Sequence, residues 1–296
     1  MSIPEYFAES VIRQYGAEMA ARIFEGMAGR RKVSLRVNHL KATAEDVEKA
    51  LADSGIVYER LGWWADAYLL PEAAEGDIWK LPLYAQGGIY LQSLSSMLPP
   101  LALEPRAGAD ILDMAAAPGG KTAQMASMTG NKANITACEI NKIRAEKLQY
   151  NLQKQGASRV NVMVRDARKL EDFFRFDQIL LDAPCSGSGT MLESDPRTTK
   201  AFSEKLVRNS AATQLQLLKK ALTLLKSGGT MVYSTCSILE MENENVVKAA
   251  LKGIKATVVP IEIPSLPLLP SSLPGALCVC PTDSYEGFFM AKIRKE

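Results

Sequence analysis

The chain has 296 residues, 47% of them hydrophobic, and its 35 Lys and Arg against 33 Asp and Glu leave a formal net charge of +2. That composition excludes a disordered chain, that length favours a large domain with a smaller companion, and the near balance of charge neither demands nor excludes a polyanionic partner. Five cysteines, Cys138, Cys185, Cys236, Cys278 and Cys280, exclude a fully paired disulfide framework and suit a reducing compartment, with the cytoplasm as the default.

At the start of the chain no basic region precedes an apolar run, and no apolar stretch of about 18 residues occurs anywhere, so an untargeted protein without a membrane segment is expected. Residues 5–28 read as a helix with Phe7, Val11, Tyr15 and Met19 spaced about four apart. A basic cluster, Arg30, Arg31, Lys32, Arg36, His39 and Lys41, surrounds a predicted strand at 33–37. Thr43 is placed to cap a second helix, with Asp46 in the capping-box position and Gly55 as the stop. Two short strands around Gly62 end at Pro71, and 82–88 is rich in turn formers. Residues 1–90 are therefore expected to form a small helical and α+β module.

From residue 108 strands alternate with helices, the rhythm of a sheet covered on both faces. Strands are predicted at 111–114, 135–139, 160–164, 178–181, 230–233, 257–259 and 287–293, giving a seven-stranded, mostly parallel α/β sheet within 91–296. A helix over 203–226 carries Leu215, Leu218, Leu222 and Leu225 as a core-facing stripe and is expected to close at Gly228-Gly229. Residues 260–281 hold six prolines and read as an irregular excursion. A second basic patch comprises Arg159, Arg165, Arg168 and Lys169.

Ligands of open α/β sheets bind outside the carboxyl ends of the strands. There, Ala115-Ala116-Ala117-Pro118-Gly119-Gly120-Lys121 follows Asp113 and lets the backbone approach a ligand, but it matches neither the dinucleotide fingerprint nor the phosphate-binding P-loop. Glu139, Asp166 and Asp182 end or follow the next three strands, with Glu139 suited to ribose hydroxyls and Asp166 to an adenine amino group. An adenosine-containing cofactor without phosphates is expected.

Cys185 and Cys236 each sit at the end of a predicted strand beside that cleft, where a thiolate is placed as a nucleophile. Cys138, Cys278 and Cys280 are read as small buried hydrophobes. Cys278-Val279-Cys280 lacks zinc-site spacing and His39 is the lone histidine, so neither a metal centre nor a histidine-dependent hydrolase is expected.

The blocks Asp113-Met-Ala-Ala-Ala-Pro-Gly-Gly-Lys-Thr122, Asp182-Ala-Pro-Cys-Ser-Gly-Ser-Gly189 and Tyr233-Ser-Thr-Cys-Ser237 resemble those of the RNA cytosine-5 methyltransferases of the Sun (Nop2-like) family. Val33-Ser-Leu-Arg-Val-Asn-His-Leu-Lys41, Gly88-Ile-Tyr-Leu-Gln-Ser-Leu-Ser-Ser-Met97 and Gly287-Phe-Phe-Met-Ala-Lys292 are similar to its other blocks. The resemblance implies a Rossmann-like methyltransferase domain with an N-terminal RNA-recognition-like module, acting as a monomer on structured ribosomal or transfer RNA. It implies that Ala115, Ala116, Ala117, Pro118, Gly119, Gly120, Lys121, Glu139, Asp166 and Asp182 bind S-adenosylmethionine. It further implies that Cys236 attacks the cytosine, that Asp182 steadies the base, and that Cys185 assists release. The alternatives are a DNA cytosine-5 methyltransferase, which would use the Pro-Cys cysteine as nucleophile, and a non-catalytic RNA-binding ribosome-assembly factor.

Overall fold

The computed structural model describes residues 3–296. Helix α1 (Glu5–Ala28) bends at Gly16, whose φ of 78° is left-handed and leaves the helical path. β1 (Val33–Val37), α2 (Ala44–Asp53), β2 (Glu59–Leu61), β3 (Trp64–Leu70), the short helices α3 (Glu75–Trp79) and α4 (Pro82–Ala85), and β4 (Ile89–Leu91) follow. The four strands form an antiparallel sheet in the order β2-β3-β1-β4. The Thr43–Asp46 capping box is formed, and Val47 and Leu51 of α2 pack on Leu35, Val37, Tyr68 and Leu70 as a separate core. Helix α1 does not share it. Phe7, Val11, Ile23 and Met27 are buried with Met191, Val207 and Ile238 of the larger unit, so by its packing this helix belongs to that core.

The larger unit comprises α5 (Leu94–Leu103), β5 (Asp110–Asp113), α6 (Gly120–Met128), β6 (Asn134–Glu139), α7 (Lys142–Gln155), β7 (Val160–Val164) and, past a 3₁₀ turn (Ala167–Lys169), β8 (Phe176–Asp182). It continues through α8 (Pro196–Thr199), α9 (Glu204–Leu224), β9 (Leu225–Thr235), α10 (Glu244–Leu251), β10 (Ala256–Val259), β11 (Leu268–Leu269), β12 (Leu277–Val279) and β13 (Phe288–Lys295). Its sheet has nine strands, ordered β11-β12-β13-β9-β8-β5-β6-β7 with β10 also paired to β13. The run from β9 to β7 is parallel, and β13 is antiparallel to β9. Strand order reverses at β5, between β6 on one side and β8 on the other, so the crevice of such a sheet lies above these carboxyl ends.

Two expectations change. The sheet has nine strands rather than seven, because the proline-rich excursion contributes β11 and β12 in the gaps between its prolines, where the backbone N–H groups needed for pairing remain. Gly228-Gly229 does not close a helix. The helix ends at Leu224 and both glycines lie inside β9, where Gly228 takes a φ of 75° and the β8–β9 register shifts. Among the described residues no helix is long and apolar enough to cross a membrane.

Candidate active site

The Gly-rich turn joins β5 to α6 above Asp113. Gly119 has a φ of 105°, a backbone conformation that side chains rarely adopt, and a Cβ there would meet the Leu148 Cδ1 methyl at 2.9 Å. Asp113 is buried; its Oδ2 accepts from Thr122 Oγ1 at 2.7 Å while Oδ1 has no partner. Burial pushes this carboxyl up to about 6. Glu139, at the end of β6, accepts from the Asn141 amide at 2.8 Å, and Arg144 reaches both Glu139 (3.4 Å) and the Ala117 carbonyl (3.1 Å). Asp166, past β7, caps the 3₁₀ turn and receives Arg168 in a two-pronged pair, whose hydrogen bonds hold its carboxyl below the usual range.

Two cavities meet here, sharing Ala115, Ala117 and Asp182 in their walls. One, of about 350 Å³, is lined by Glu139, Ile140, Asp166, Asp182, Cys185 and Cys236. The other, of about 420 Å³, runs past Ala116, Pro118, Gly120 and Lys121 to Arg31, Tyr90 and Glu286. Of the ten residues expected to hold a cofactor, Gly119 alone lines neither cavity, and its part is to bend the backbone.

Parallel pairing of β8 with β9 sets Asp182 opposite Ser234, and the loops beyond bring Cys185 and Cys236 together with their sulfurs 2.7 Å apart. Both are free thiols. The hydrogen bond to Cys236, and then burial, push the Cys185 thiol up. Lys121 Nζ donates to Asp182 at 2.7 Å and to Ser96 at 2.6 Å, and Asp182 also accepts from Ser234 Oγ at 2.8 Å. Burial works against the Lys121 ammonium, but Asp182 outweighs it and raises Lys121 above its ordinary value. Cys138, Cys278 and Cys280 lie buried in the core clusters, away from this pair.

Sequence reading missed the polar frame of this site. Ser96 and Ser234 lie inside the Gly88–Met97 and Tyr233–Ser237 blocks, which assign them no role, and Glu242, in the acidic run Glu240-Met-Glu-Asn-Glu244, is itself fully buried. The basic cluster also divides. Arg36 is fully buried, donating to Gln92, to Gln155 and to the Gly120 carbonyl, and it stacks over Tyr90, so it braces the Gly-rich turn and is unavailable to a phosphate. Lys32 pairs with Asp283, and Arg31 donates to the Tyr285 carbonyl. Arg165 pairs with Glu171.

An S-adenosyl group fits this chemistry. The unpartnered, buried Asp113 Oδ1 and the carboxylates of Glu139, Asp166 and Asp182 offer acceptors to amino and hydroxyl groups, and Ala115, Ala116, Ala117, Pro118 and Gly120 present only small side chains to the cavity. Among the described residues no group of three or more His, Cys, Asp and Glu could hold a metal ion.

A family model described as 16S rRNA methyltransferase RsmB/F matches residues 100–294, and one for the RsmF/B-like ferredoxin-like domain matches residues 3–75. The chain is 38% identical over 279 residues to ribosomal RNA small subunit methyltransferase F of Shewanella loihica, covering 88% of this chain and 56% of that protein. It is 35% identical over 286 residues to the human 28S rRNA (cytosine(4447)-C(5))-methyltransferase, covering 90% of this chain and 34% of that protein. It thus spans about half or less of these curated relatives. A solved methyltransferase homologue from Pyrococcus horikoshii superposes with a TM-score of 0.83 at 32% identity, covering 99% of this chain and all of that one.

Proposed function

This chain belongs to the RsmB/F family of rRNA methyltransferases, and we propose that it uses S-adenosylmethionine to form 5-methylcytosine in ribosomal RNA through a covalent adduct on Cys236. The observation that carries this reading is the pair of thiols, 2.7 Å apart, beside the Lys121–Asp182 ion pair at the switch point of the sheet.

Cytosine carbon 5 is a weak nucleophile. Addition of the Cys236 thiolate to carbon 6 forms an S–C bond and turns carbon 5 into an enamine carbon, splitting one hard step into two easier ones. Addition at carbon 6 pushes negative charge onto the ring nitrogen, which the Lys121 ammonium beside Asp182 offsets, while Asp182, held by Lys121 and Ser234, steadies the base by accepting from its exocyclic amino group. Bound S-adenosylmethionine supplies the electrophilic methyl group that carbon 5 takes. Release then needs the proton on carbon 5 removed and the S–C bond broken, and Cys185 touches the departing sulfur. Glu139 and Asp166 orient the ribose and adenine, and the Gly-rich turn receives the methionine portion.

Reaching carbon 6 requires the base to leave its stack, which costs a few kcal/mol and least for an unpaired base, so a loop or bulge cytosine is the target. Residues 1–90 supply RNA recognition, and the enzyme works as a cytoplasmic monomer. Bisulfite sequencing of ribosomal RNA from cells with and without the gene should lose one 5-methylcytosine. On a denaturing gel, Cys185→Ala should accumulate an enzyme–RNA adduct and Cys236→Ala should form none. The opposite pattern would assign attack to Cys185, as in the DNA enzymes, and methylation by neither wild type nor variant would leave an assembly factor.

A further inference from the structure

Cys185 and Cys236 hold their sulfurs 2.7 Å apart, and both are free thiols. A disulfide bond is about 2.05 Å long, so the sulfurs need to close by only about 0.7 Å. The loops that carry them are fastened to each other. The Gly189 amide donates to the Cys236 carbonyl at 2.9 Å, the Gly287 amide donates to the Gly189 carbonyl at 2.8 Å, and the Ser188 and Ser237 hydroxyls share a hydrogen bond of 2.8 Å. Glu242, fully buried, accepts from the Ser186 amide at 2.8 Å and from Ser237 Oγ at 2.7 Å, so one carboxylate joins the residues that follow the two cysteines. Groups held together in this way react with each other far faster than free groups in solution. Both thiols are also reachable, because each is partly exposed and lines the cavity of about 350 Å³, many times the roughly 30 Å³ that one water molecule occupies. Cys138, Cys278 and Cys280, in contrast, are buried.

We propose that Cys185 and Cys236 form a reversible modification site, joined as a disulfide by hydrogen peroxide and reopened by a dithiol. Either sulfur can begin. As its thiolate it attacks one peroxide oxygen, the O–O bond breaks, the sulfur becomes a sulfenic acid, and the other oxygen leaves as hydroxide and takes up a proton to become water. The second sulfur then displaces the sulfenic hydroxyl, which leaves with the second thiol's proton as water while the S–S bond forms. One peroxide is reduced to two waters and two thiols are oxidised to one disulfide. Thiol–disulfide exchange with a dithiol reverses the bond. While the bond stands, neither sulfur can attack carbon 6 or assist release, and neither can go on to sulfinic acid, which is irreversible. The bond itself needs only the thiol pair, whereas its effect on methyl transfer rests on the adduct chemistry proposed above.

The bond is tested on the full, reduced chain without RNA, so failure of the cytosine reading leaves this measurement intact. The protein is treated with a small excess of hydrogen peroxide, remaining thiols are blocked with iodoacetamide, and the unreduced peptides are read by mass spectrometry. The wild type should give a linked pair of peptides carrying Cys185 and Cys236, and dithiothreitol should return both thiols. Cys185→Ser should give no linked pair and should carry Cys236 on to sulfinic acid, which dithiothreitol leaves in place. With an RNA substrate, wild-type methyl transfer should fall at least about tenfold in step with the linked pair and return on reduction. A wild type whose Cys236 goes to sulfinic acid without a linked pair would overturn the proposal, and so would a linked enzyme that methylates RNA at the reduced enzyme's rate.

Discussion

Asp113 offers a quantitative test of how the crevice is built. Its carboxyl lies 1% exposed under the Gly-rich turn, and burial raises it from 3.8 to about 6. A carboxyl raised on folding contributes stability that is fully present below its unfolded value and is lost as pH climbs through its folded value. A rise of this size is worth about 3 kcal/mol, of which about 2 kcal/mol should disappear between about pH 4.5 and about pH 7.5. That is a sizeable part of the 5–15 kcal/mol that holds a typical domain together. Asp113→Asn keeps an acceptor for Thr122 but cannot ionise, so it should lose none of this increment. Urea unfolding of wild type and Asp113→Asn should give a stability difference that moves by about 2 kcal/mol in favour of the variant over that range. Comparing the pair cancels groups of opposite slope, such as Asp166 and Asp177, whose carboxyls are held low by hydrogen bonds to Arg168 and Lys226. A difference that stays flat with pH would mean that the Asp113 site is hydrated and would refute the reasoning.

Asp166→Ala should weaken S-adenosylmethionine binding about tenfold or more by calorimetry, since a charge-assisted hydrogen bond is worth about 1.5–3 kcal/mol; equal affinity would place the adenine elsewhere. At Gly189 a Cβ would lie 1.9 Å from the Gly287 carbonyl oxygen, and the Gly189 amide bonds the Cys236 carbonyl at 2.9 Å, so Gly189→Ala must spread the thiol loops. It should cost about 3 kcal/mol in urea unfolding and abolish methyl transfer, and wild-type behaviour would show that the backbone yields cheaply. An Arg30 and Lys41 double alanine variant, which takes the exposed arginine and lysine of the cluster outside both cavities, should bind RNA more weakly with a shallower salt dependence while keeping cofactor affinity. Unchanged RNA affinity and salt slope would move the search to Arg165, Arg168 and Lys169.

Local chemistry was legible in the chain itself. The Thr43–Asp46 cap, the alternation of strands and helices after residue 108, and the acids and cysteines at strand ends all follow from short-range periodicity and backbone preference. What needed the folded molecule was everything set by burial and by pairing across long separations. Strands β11 and β12 form because part of the β13 edge away from β9 is open to the proline-rich segment, and α1 leaves the N-terminal sheet because its apolar residues fit the larger core. Arg36 reads as part of a basic patch, but a shell of backbone and amide acceptors buries it. Glu242 reads as one acid among several, and becomes distinct only when β8 and β9 carry two loops, 51 residues apart at their cysteines, onto a single carboxylate. Residue type and spacing state which groups are present, whereas the surroundings of each group are assembled from distant parts of the chain.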